Sequence, residues 1–293
     1  MIDAGPRSVC DALHDVLAHD PLDLTEAALV VARLEYPHLD PRPYRDTLDR
    51  LGAEAARRLA RVSGPSVRAR VAVLNTLLFE DERFTGNRAG YGDVRNSFLN
   101  DVLDRRIGIP ITLALVYIEV ARRAGWLVDG VSFPGHFLLR VSGGLDDELM
   151  LDPFAGGAEL GAADFRVLLA AHLGLEHEDA PVNPALLQPC TPRHLLARLL
   201  NNLKRAYLDL RVLPQARLVT DLLLLVEPAR ITELRDRGLI ASHLDDDPAA
   251  LRDLEDYLRL NGWSDGAEGA DREECDRIFD HIKTLKRRLA ARN

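Results

Sequence analysis

The segment PGHFLLRVSGGLDDELMLDPFAGG, residues 134–157, decides the fold of this chain. Its residues 136–141 and 148–152 carry apolar side chains that alternate with polar ones, and a glycine-containing turn, SGGLD at 142–146, separates the two runs. Two short alternating runs on either side of such a turn predict an antiparallel β-hairpin. One face of this hairpin is wholly apolar and the other is mixed, which is the pattern of a sheet buried on one side.

The register of the hairpin brings one histidine and one aspartate together. A hairpin centred on Gly144 places His136 directly opposite Asp152, and it places Arg140 opposite Glu148. Directly opposite residues have Cβ atoms roughly 4.5–5.5 Å apart, so the aspartate can accept a hydrogen bond from one imidazole nitrogen and fix the tautomer of the ring. By itself the pattern indicates an oriented histidine, for which a satisfied polar contact is a simpler explanation than catalysis.

Upstream of the hairpin the sequence predicts a buried helix and a further strand. Gly108–Ile109–Pro110 leads into the run ITLALVYIEVARRAG at 111–125. Proline suits the first helical position, where its missing N–H costs nothing, and Gly125 supplies the C-terminal stop. The helix is apolar on nearly every side until Glu119, so we expect it to be buried. A strand at 128–134 follows it.

Both ends of the chain are predicted to be helical. Residues up to about 85 contain three stretches with a helical apolar period. Beyond Pro192 a repeat of about 34 residues emerges, which is the length of a tetratricopeptide unit. The first copy has the marker residues of such a unit: Leu203, Tyr207, Ala216 and Pro228. The second copy is degenerate: Ala250 keeps its marker and Gly238 suits its position, but Arg237, Ala241 and Gly262 replace the other markers.

The composition argues against several classes of function. The 293 residues have a formal net charge of −9, and no face is obviously enriched in Lys or Arg, so we do not expect a nucleic acid partner. The longest apolar run, Leu222–Val226, is far too short to span a membrane, and the N-terminus does not look like a signal peptide. The chain has three widely separated cysteines, Cys10, Cys190 and Cys275. Their odd number and their spacing argue against a disulfide framework and against a zinc site, and they fit a reducing cytoplasm.

Several long and closely spaced blocks of the chain resemble the SirB family of transglutaminase-like proteins. They include LNTLLF, NSFLNDVLDRRIGIPITLALVYIEVARRAG, PGHFLLRV and LDPFAGG, and weaker similarity extends over most of the chain. The resemblance implies an α+β fold with three parts. These are a helical N-terminal region (1–85), a papain- or transglutaminase-like core with a small antiparallel sheet (86–185), and an all-α tetratricopeptide-like region (190–293).

The resemblance also implies a triad of cysteine, histidine and aspartate. His136 matches the histidine and Asp152 the aspartate. The cysteine should lie at the start of the buried helix, within residues 110–112, and none of these residues is a cysteine. The three cysteines of the chain lie in other segments and match no motif, so this departure puts acyl-transfer chemistry in doubt.

Two hydroxyls are candidates to replace the thiol. Thr112 lies at the predicted helix N-terminus, which stabilises anions, and Ser97 lies in the block NSFLN. Each has a structural alternative, because threonine often bonds to a carbonyl of its own helix and serine often caps a following helix. Further side chains could line a pocket near His136, although capping, solvation and core packing are simpler roles for them: Asn96, Asn100, Arg105, Arg106, Tyr91 and Phe133.

The sequence favours a protein that has lost acyl-transfer chemistry and binds a protein or peptide segment, because stacked helical repeats usually present a concave binding surface. The alternative is a hydrolase or acyl-transferase in which His136 is the base, Asp152 orients it, and Thr112, Ser97 or water is the nucleophile. A metal site is the weakest interpretation, since the His/Asp pair has no third ligand in the sequence. We expect no cofactor.

Overall fold

The computed structural model describes residues 6–62, 66–143, 148–175, 181–262 and 272–292. It divides into two compact units, Met1–Leu199 and Leu200–Asn293. The predicted boundary between residues 85 and 86 lies inside the first unit. No helix among the described residues is both long and apolar enough to cross a membrane.

Helices dominate the first half of unit 1. Four precede the core: α1 (Pro6–Leu17), α2 (Leu24–Ala32), α3 (Arg42–Leu59) and α4 (Val67–Asn75). Asp23 caps α2, because its side chain accepts a hydrogen bond from the backbone N–H of Glu26 at 2.9 Å. This bond satisfies one of the N–H groups in the first turn of the helix that have no acceptor within the helix. A π-helical turn (Thr76–Asp81) continues α4, and a 3₁₀ turn (Val94–Ser97) precedes α5 (Leu99–Arg105).

The predicted buried helix is α6, Pro110–Arg123. Pro110 takes the first helical position, and Gly125 adopts a φ of +77° just beyond the helix end. The α3 helix packs closely against α6, because a side chain at Gly52 would collide with that of Arg123. The carboxylate of Glu119 is buried within this packing and accepts a hydrogen bond from Thr25 Oγ1 at 2.6 Å.

An antiparallel sheet follows α6 in the strand order β3-β4-β5-β6. Its strands are β3 (Asp129–Val131), β4 (Leu138–Ser142), β5 (Glu148–Asp152) and β6 (Ala158–Leu160). A separate parallel pair, β1 (Thr85–Gly86) and β2 (Ile107–Gly108), lies earlier in the chain and was not predicted. Two-residue strands have no periodicity that a sequence could reveal.

The predicted register of the hairpin is wrong by two residues. Leu139 pairs with Leu151 and Arg140 with Met150, so His136 is not opposite Asp152 in the ladder. The reason is a turn at Gly135, whose φ is +69°. In this turn the His136 N–H donates to the Phe133 carbonyl, and the strand therefore begins only at Leu138. Because side chains alternate with a period of two, an even shift leaves every side chain on its predicted face.

The ion pair predicted across the hairpin also survives the shift. Arg140 Nη2 still reaches the carboxylate of Glu148, although the strand partner of Glu148 is Ser142 rather than Arg140. The contact is therefore diagonal, which the length of an arginine side chain allows. After β6 come α7 (Ala162–Leu173) and a 3₁₀ turn at Pro184–Leu187, and both pack against the apolar cluster of the sheet.

Unit 2 contains the predicted repeats. Its helices are α9 (Leu213–Val226), α10 (Thr232–His243), α11 (Asp247–Leu260) and α12 (Arg272–Arg292), and they are preceded by α8 (Pro192–Asp209). The marker alanines, Ala216 and Ala250, are fully buried. Gly238 permits close packing, because a Cβ there would lie 2.8 Å from Leu254 Cγ.

The first repeat has a lysine where the second has Gly238. Lys204 is buried, and its ammonium lies 2.6 Å from a Glu233 carboxylate oxygen and 2.7 Å from one of Asp236. A buried charge persists only when it is paired, so this cluster joins α8 to α10 by ion pairs rather than by apolar packing alone. The predicted α+β architecture, in which a small antiparallel sheet lies between helical regions of the chain, is confirmed.

Candidate functional site

His136 and Asp152 are in direct contact despite the shifted register. His136 Nε2 lies 2.8 Å from Asp152 Oδ1, and the two side chains are only 14% and 11% exposed. An ionised carboxylate can only accept, so Nε2 carries the proton of this bond. Nδ1 is then the basic nitrogen of the neutral ring. The contact predicted from the sequence is present, and it orients the imidazole.

A tight turn after β5 holds Asp152 in place. The same oxygen, Oδ1, accepts the backbone N–H of Phe154 at 2.8 Å and caps the 3₁₀ turn Pro153–Ala155. Gly157 follows with a φ of +75°, and its carbonyl accepts a hydrogen bond from Asn75 Nδ2 at 2.9 Å. The orientation of the histidine therefore depends on the same atom that shapes the turn.

The Phe154 ring forms the wall beside the histidine. Its centroid lies 6.2 Å from that of the His136 ring, edge to face, and 5.9 Å from that of Tyr91. The guanidinium carbon of Arg88 lies 5.1 Å from the same centroid. Gly86 leaves room for the ring, because a Cβ there would lie 2.5 Å from Phe154 Cδ2. Tyr91 is a residue predicted from the sequence, whereas Phe154 and Arg88 were not predicted.

The sequence contains a weak signal for Phe154 and none for Arg88. Phe154 is two positions after Asp152, inside the block LDPFAGG, and so its place in the turn is fixed by the aspartate that caps it. Arg88 lies in a turn-rich segment with no periodicity, and no pattern in the sequence connects it to the sheet.

The hydroxyl of Thr112 is occupied by structural hydrogen bonds. The residue is fully buried, and Oγ1 lies 2.8 Å from the Asn96 carbonyl and accepts the Ile109 N–H at 3.1 Å. A hydroxyl has one proton to donate, and here backbone carbonyls receive it. Ser97 is also buried, at the end of its 3₁₀ turn. Within the described ranges, no hydrogen bond joins either hydroxyl to His136.

Asn96 organises the loop that carries Arg88 and Tyr91. Its side chain is fully buried and donates to the carbonyls of Gly90 at 2.8 Å and Tyr91 at 3.2 Å. Its amide oxygen accepts from Asn87 Nδ2 at 3.0 Å. These bonds satisfy Asn96 inside the protein, so its geometry favours a structural role over contact with a ligand.

The two arginines named from the sequence face other partners. Arg105 lies 3.5 Å from a carboxylate oxygen of Asp93. Arg106 pairs with Glu82 at 3.0 Å, and its guanidinium lies 4.8 Å from the centre of the Phe84 ring. The structure does not bring either guanidinium to His136.

Phe133 and Asn100 belong to the interior. Phe133 is fully buried in a cluster with Leu138 and Met150, and its ring centroid lies 6.1 Å from that of Phe165. Asn100 is buried on α5 with its amide oxygen shielded from solvent. Phe133 therefore fits the core-packing alternative, whereas Asn100 is buried rather than solvated at the surface.

No cysteine of the chain is suited to replace the missing thiol. Cys10 lies in α1 and Cys275 is buried in α12. Cys190 lies next to β3, where its N–H bonds to the Gly130 carbonyl at 2.8 Å, and burial raises the pKa of its thiol to about 11. Its thiol is therefore protonated at neutral pH and a poor nucleophile.

The described residues contain no cluster that could hold a metal ion, where a cluster means three or more His, Cys, Asp or Glu side chains. The groups that the structure brings together at the site are an oriented imidazole, an aromatic wall and the Arg88 guanidinium. Their positions depend on the cap at Asp152 and on the loop organised by Asn96.

Comparison with known proteins agrees with this architecture. The transglutaminase-like superfamily matches residues 42–201, and the tetratricopeptide repeat matches residues 203–278. A UPF0162 protein of Xylella fastidiosa (strain Temecula1) is 42% identical over 243 residues, which are 82% of this chain and 85% of that protein. A UPF0162 protein of Pseudomonas aeruginosa is 33% identical over 260 residues, 87% of this chain and 90% of that protein.

A more distant similarity reaches a eukaryotic protein. Human F-box only protein 21 is 32% identical over 137 residues, which are 44% of this chain and 20% of that protein. The match covers a small part of that longer protein and shows relatedness of a segment. Taken with the family matches over most of the chain, the comparisons place this protein in the transglutaminase-like superfamily and in the UPF0162 family.

Proposed function

We propose that this protein is a SirB-type transglutaminase-like protein that has lost acyl-transfer chemistry and binds a protein or peptide segment. The observation that carries the proposal is the start of α6, residues 110–112, where the family resemblance expects the nucleophilic thiol and the chain has Pro110, Ile111 and Thr112. Proline and isoleucine have no group that could attack a carbonyl, and the hydroxyl of Thr112 is bonded to the Asn96 carbonyl. The His136–Asp152 pair then acts as a binding and positioning element.

The tetratricopeptide helices support a role in protein interaction. Stacked repeats of this kind present extended surfaces and generally mediate contacts with other proteins. The odd number and wide separation of the three cysteines support work in a reducing cytoplasm.

One observation favours a second candidate, a hydrolase or acyl-transferase. The 2.8 Å bond from His136 Nε2 to Asp152 leaves Nδ1 as a base in a fixed orientation, which is what a general base requires. Water, Thr112 or Ser97 would have to be the nucleophile. The backbone bonds of Thr112 Oγ1 argue against the threonine, because attack would break the contacts that start α6.

Turnover measurements separate the two functions. Full-length wild type, His136→Ala and a control, His194→Ala, are incubated with a library of peptides and amides and with electrophilic probes for nucleophiles. His194 is an exposed histidine in the same unit and does not contact His136. We expect no turnover and no adduct at the site from any of the three. Turnover that His194→Ala keeps and His136→Ala loses would establish the hydrolase.

Peptide selection tests the binding function directly. The immobilised full-length protein is exposed to a phage-displayed library of random peptides, and enriched sequences are compared with those from a bare surface. We expect a common motif that only the protein enriches. A selection in which the protein enriches nothing beyond the bare surface contradicts the binding function.

A further inference from the structure

The feature that points furthest beyond the proposed function is the surface around the Phe154 ring. Tyr91, His136 and Arg88 each lie against this ring, with separations of 5.9, 6.2 and 5.1 Å. Tyr91 is 49% exposed, and Arg88 is exposed as well. We call these four residues the Phe154 surface. It combines an exposed apolar area, a cation and an oriented imidazole.

The cation of this surface differs from the arginines near it. Arg95 and Arg105 both pair with Asp93, at 2.8 and 3.5 Å. Among the residues that the structure describes, no carboxylate lies within ion-pair distance of the Arg88 guanidinium. Arg88 therefore presents an uncompensated positive charge beside an aromatic face, in a protein whose formal net charge is −9.

The surface is also pre-organised. The buried Asn96 side chain fixes the loop that carries Arg88 and Tyr91 by bonding to two of its carbonyls. Asp152 caps the turn that carries Phe154, and the glycine at 86 lets the ring lie against β1. A guanidinium stacked on a ring loses less conformational freedom when it binds a carboxylate than one that moves freely.

The chemistry of the surface defines its ligand. A guanidinium presents two parallel N–H groups that match the two oxygens of a carboxylate, and the aromatic rings offer an apolar platform beside it. Tyr91 and Arg88 are exposed, so a chain can lie across the surface beside the Phe154 ring. Such a geometry suits the middle of an extended segment, with an acidic side chain next to an apolar one.

We infer that the Phe154 surface binds an extended peptide segment of a partner protein through an Asp or Glu side chain on Arg88 and an adjacent apolar side chain on Phe154 and Tyr91. This inference rests on the proposed binding function and names the class of segment that the site recognises.

The test uses the full-length protein and synthetic fluorescent peptides from the phage selection. Each peptide is made with its acidic residue as Glu and as Gln, and with its C-terminus as free acid and as amide. Binding is measured by fluorescence anisotropy for wild type, Arg88→Ala and Arg70→Ala. Arg70 is the matched control, because its guanidinium carbon also lies over an aromatic ring of unit 1, 5.7 Å from the Trp126 centroid.

We expect Arg88→Ala to weaken binding of the Glu peptides about tenfold. The loss of the hydrogen bond between the guanidinium and the peptide carboxylate corresponds to about one decade in Kd. The Gln peptides should bind wild type as weakly as the Glu peptides bind Arg88→Ala. Arg70→Ala should bind like wild type, and amidation of the C-terminus should change little. Equal thermal melting of the three proteins confirms that the substitutions leave the fold intact.

Two results overturn the inference while the binding function stands. One is selected peptides that bind wild type and Arg88→Ala equally, and the other is binding that follows the free C-terminus rather than the acidic side chain. A selection that enriches no peptide at all removes the binding function itself, and the inference falls with it.

Discussion

Replacing Asp152 tests how much of the site depends on one carboxylate oxygen. Oδ1 accepts two hydrogen bonds, one from the ring of His136 and one from the N–H of Phe154. Asp152→Ala removes both. The lost cap costs about 1 kcal/mol and the lost hydrogen bond about another, so unit 1 should lose about 2 kcal/mol of unfolding free energy. For a domain of this size that corresponds to a fall in Tm of about 4–8 °C.

Two companion variants divide this cost into its parts. Asp152→Asn keeps an oxygen where both donors can reach it, so we expect a loss below about 1 kcal/mol. Asp164→Ala is the matched control, because Asp164 accepts a single backbone N–H, that of Gly161 at 2.8 Å, in an exposed setting. It should cost about 1 kcal/mol.

Urea unfolding followed by tryptophan fluorescence measures these differences. Trp126 is buried in unit 1, and the chain has two tryptophans, so a Trp263→Phe background makes the signal report on unit 1. The reasoning is refuted if Asp152→Ala is no less stable than Asp164→Ala. Equal destabilisation by Asp152→Asn and Asp152→Ala would refute it too, because the negative charge rather than the oxygen position would then matter.

Three further predictions concern packing and reactivity. Lys204→Met should destabilise unit 2 by about 3 kcal/mol, because it removes the cation beside the buried carboxylate of Glu233. Urea unfolding monitored by circular dichroism measures this loss. A loss of stability smaller than that caused by replacing an exposed lysine with methionine would contradict the pairing. Gly238→Ala should cost about 1–3 kcal/mol by the same measurement, since its Cβ would lie 2.8 Å from Leu254 Cγ, whereas a stabilised variant would mean that α10 and α11 separate easily. Cys190 should react slowly with iodoacetamide at pH 8, and the reaction should become faster as the pH approaches the pKa of the thiol, about 11. Mass spectrometry measures the rate of labelling, and rapid labelling of Cys190 at neutral pH would disprove this prediction.

Much of the site could be predicted because its residues lie close together along the chain. His136 and Asp152 are joined by one hairpin, and strand alternation alone places them on a common face. That prediction tolerated an error in the register, because the shift was even and because an imidazole beyond the strand end can still reach back to the carboxylate.

The rest of the site depends on contacts that no local pattern encodes. The contact between Arg88 and Phe154 depends on the β1–β2 pair and on the hydrogen bonds of the buried Asn96, which hold the loop in place. Thr112 was a candidate nucleophile because of its place on α6, but the carbonyl of Asn96 that bonds its hydroxyl is distant in sequence. Sequence periodicity shows which face of an element is buried, and it does not show which distant segment covers that face.

The Lys204 cluster has a consequence for the length of the helical array. The residue that corresponds to Lys204 in the following repeat is Gly238, which has no charged side chain. If the second repeat were duplicated, the new copy of Glu233 would face a glycine and lie in the interior without a counter-charge. The repeats are thus not interchangeable modules, and we expect the buried Lys204 cluster to restrict the order and number of units.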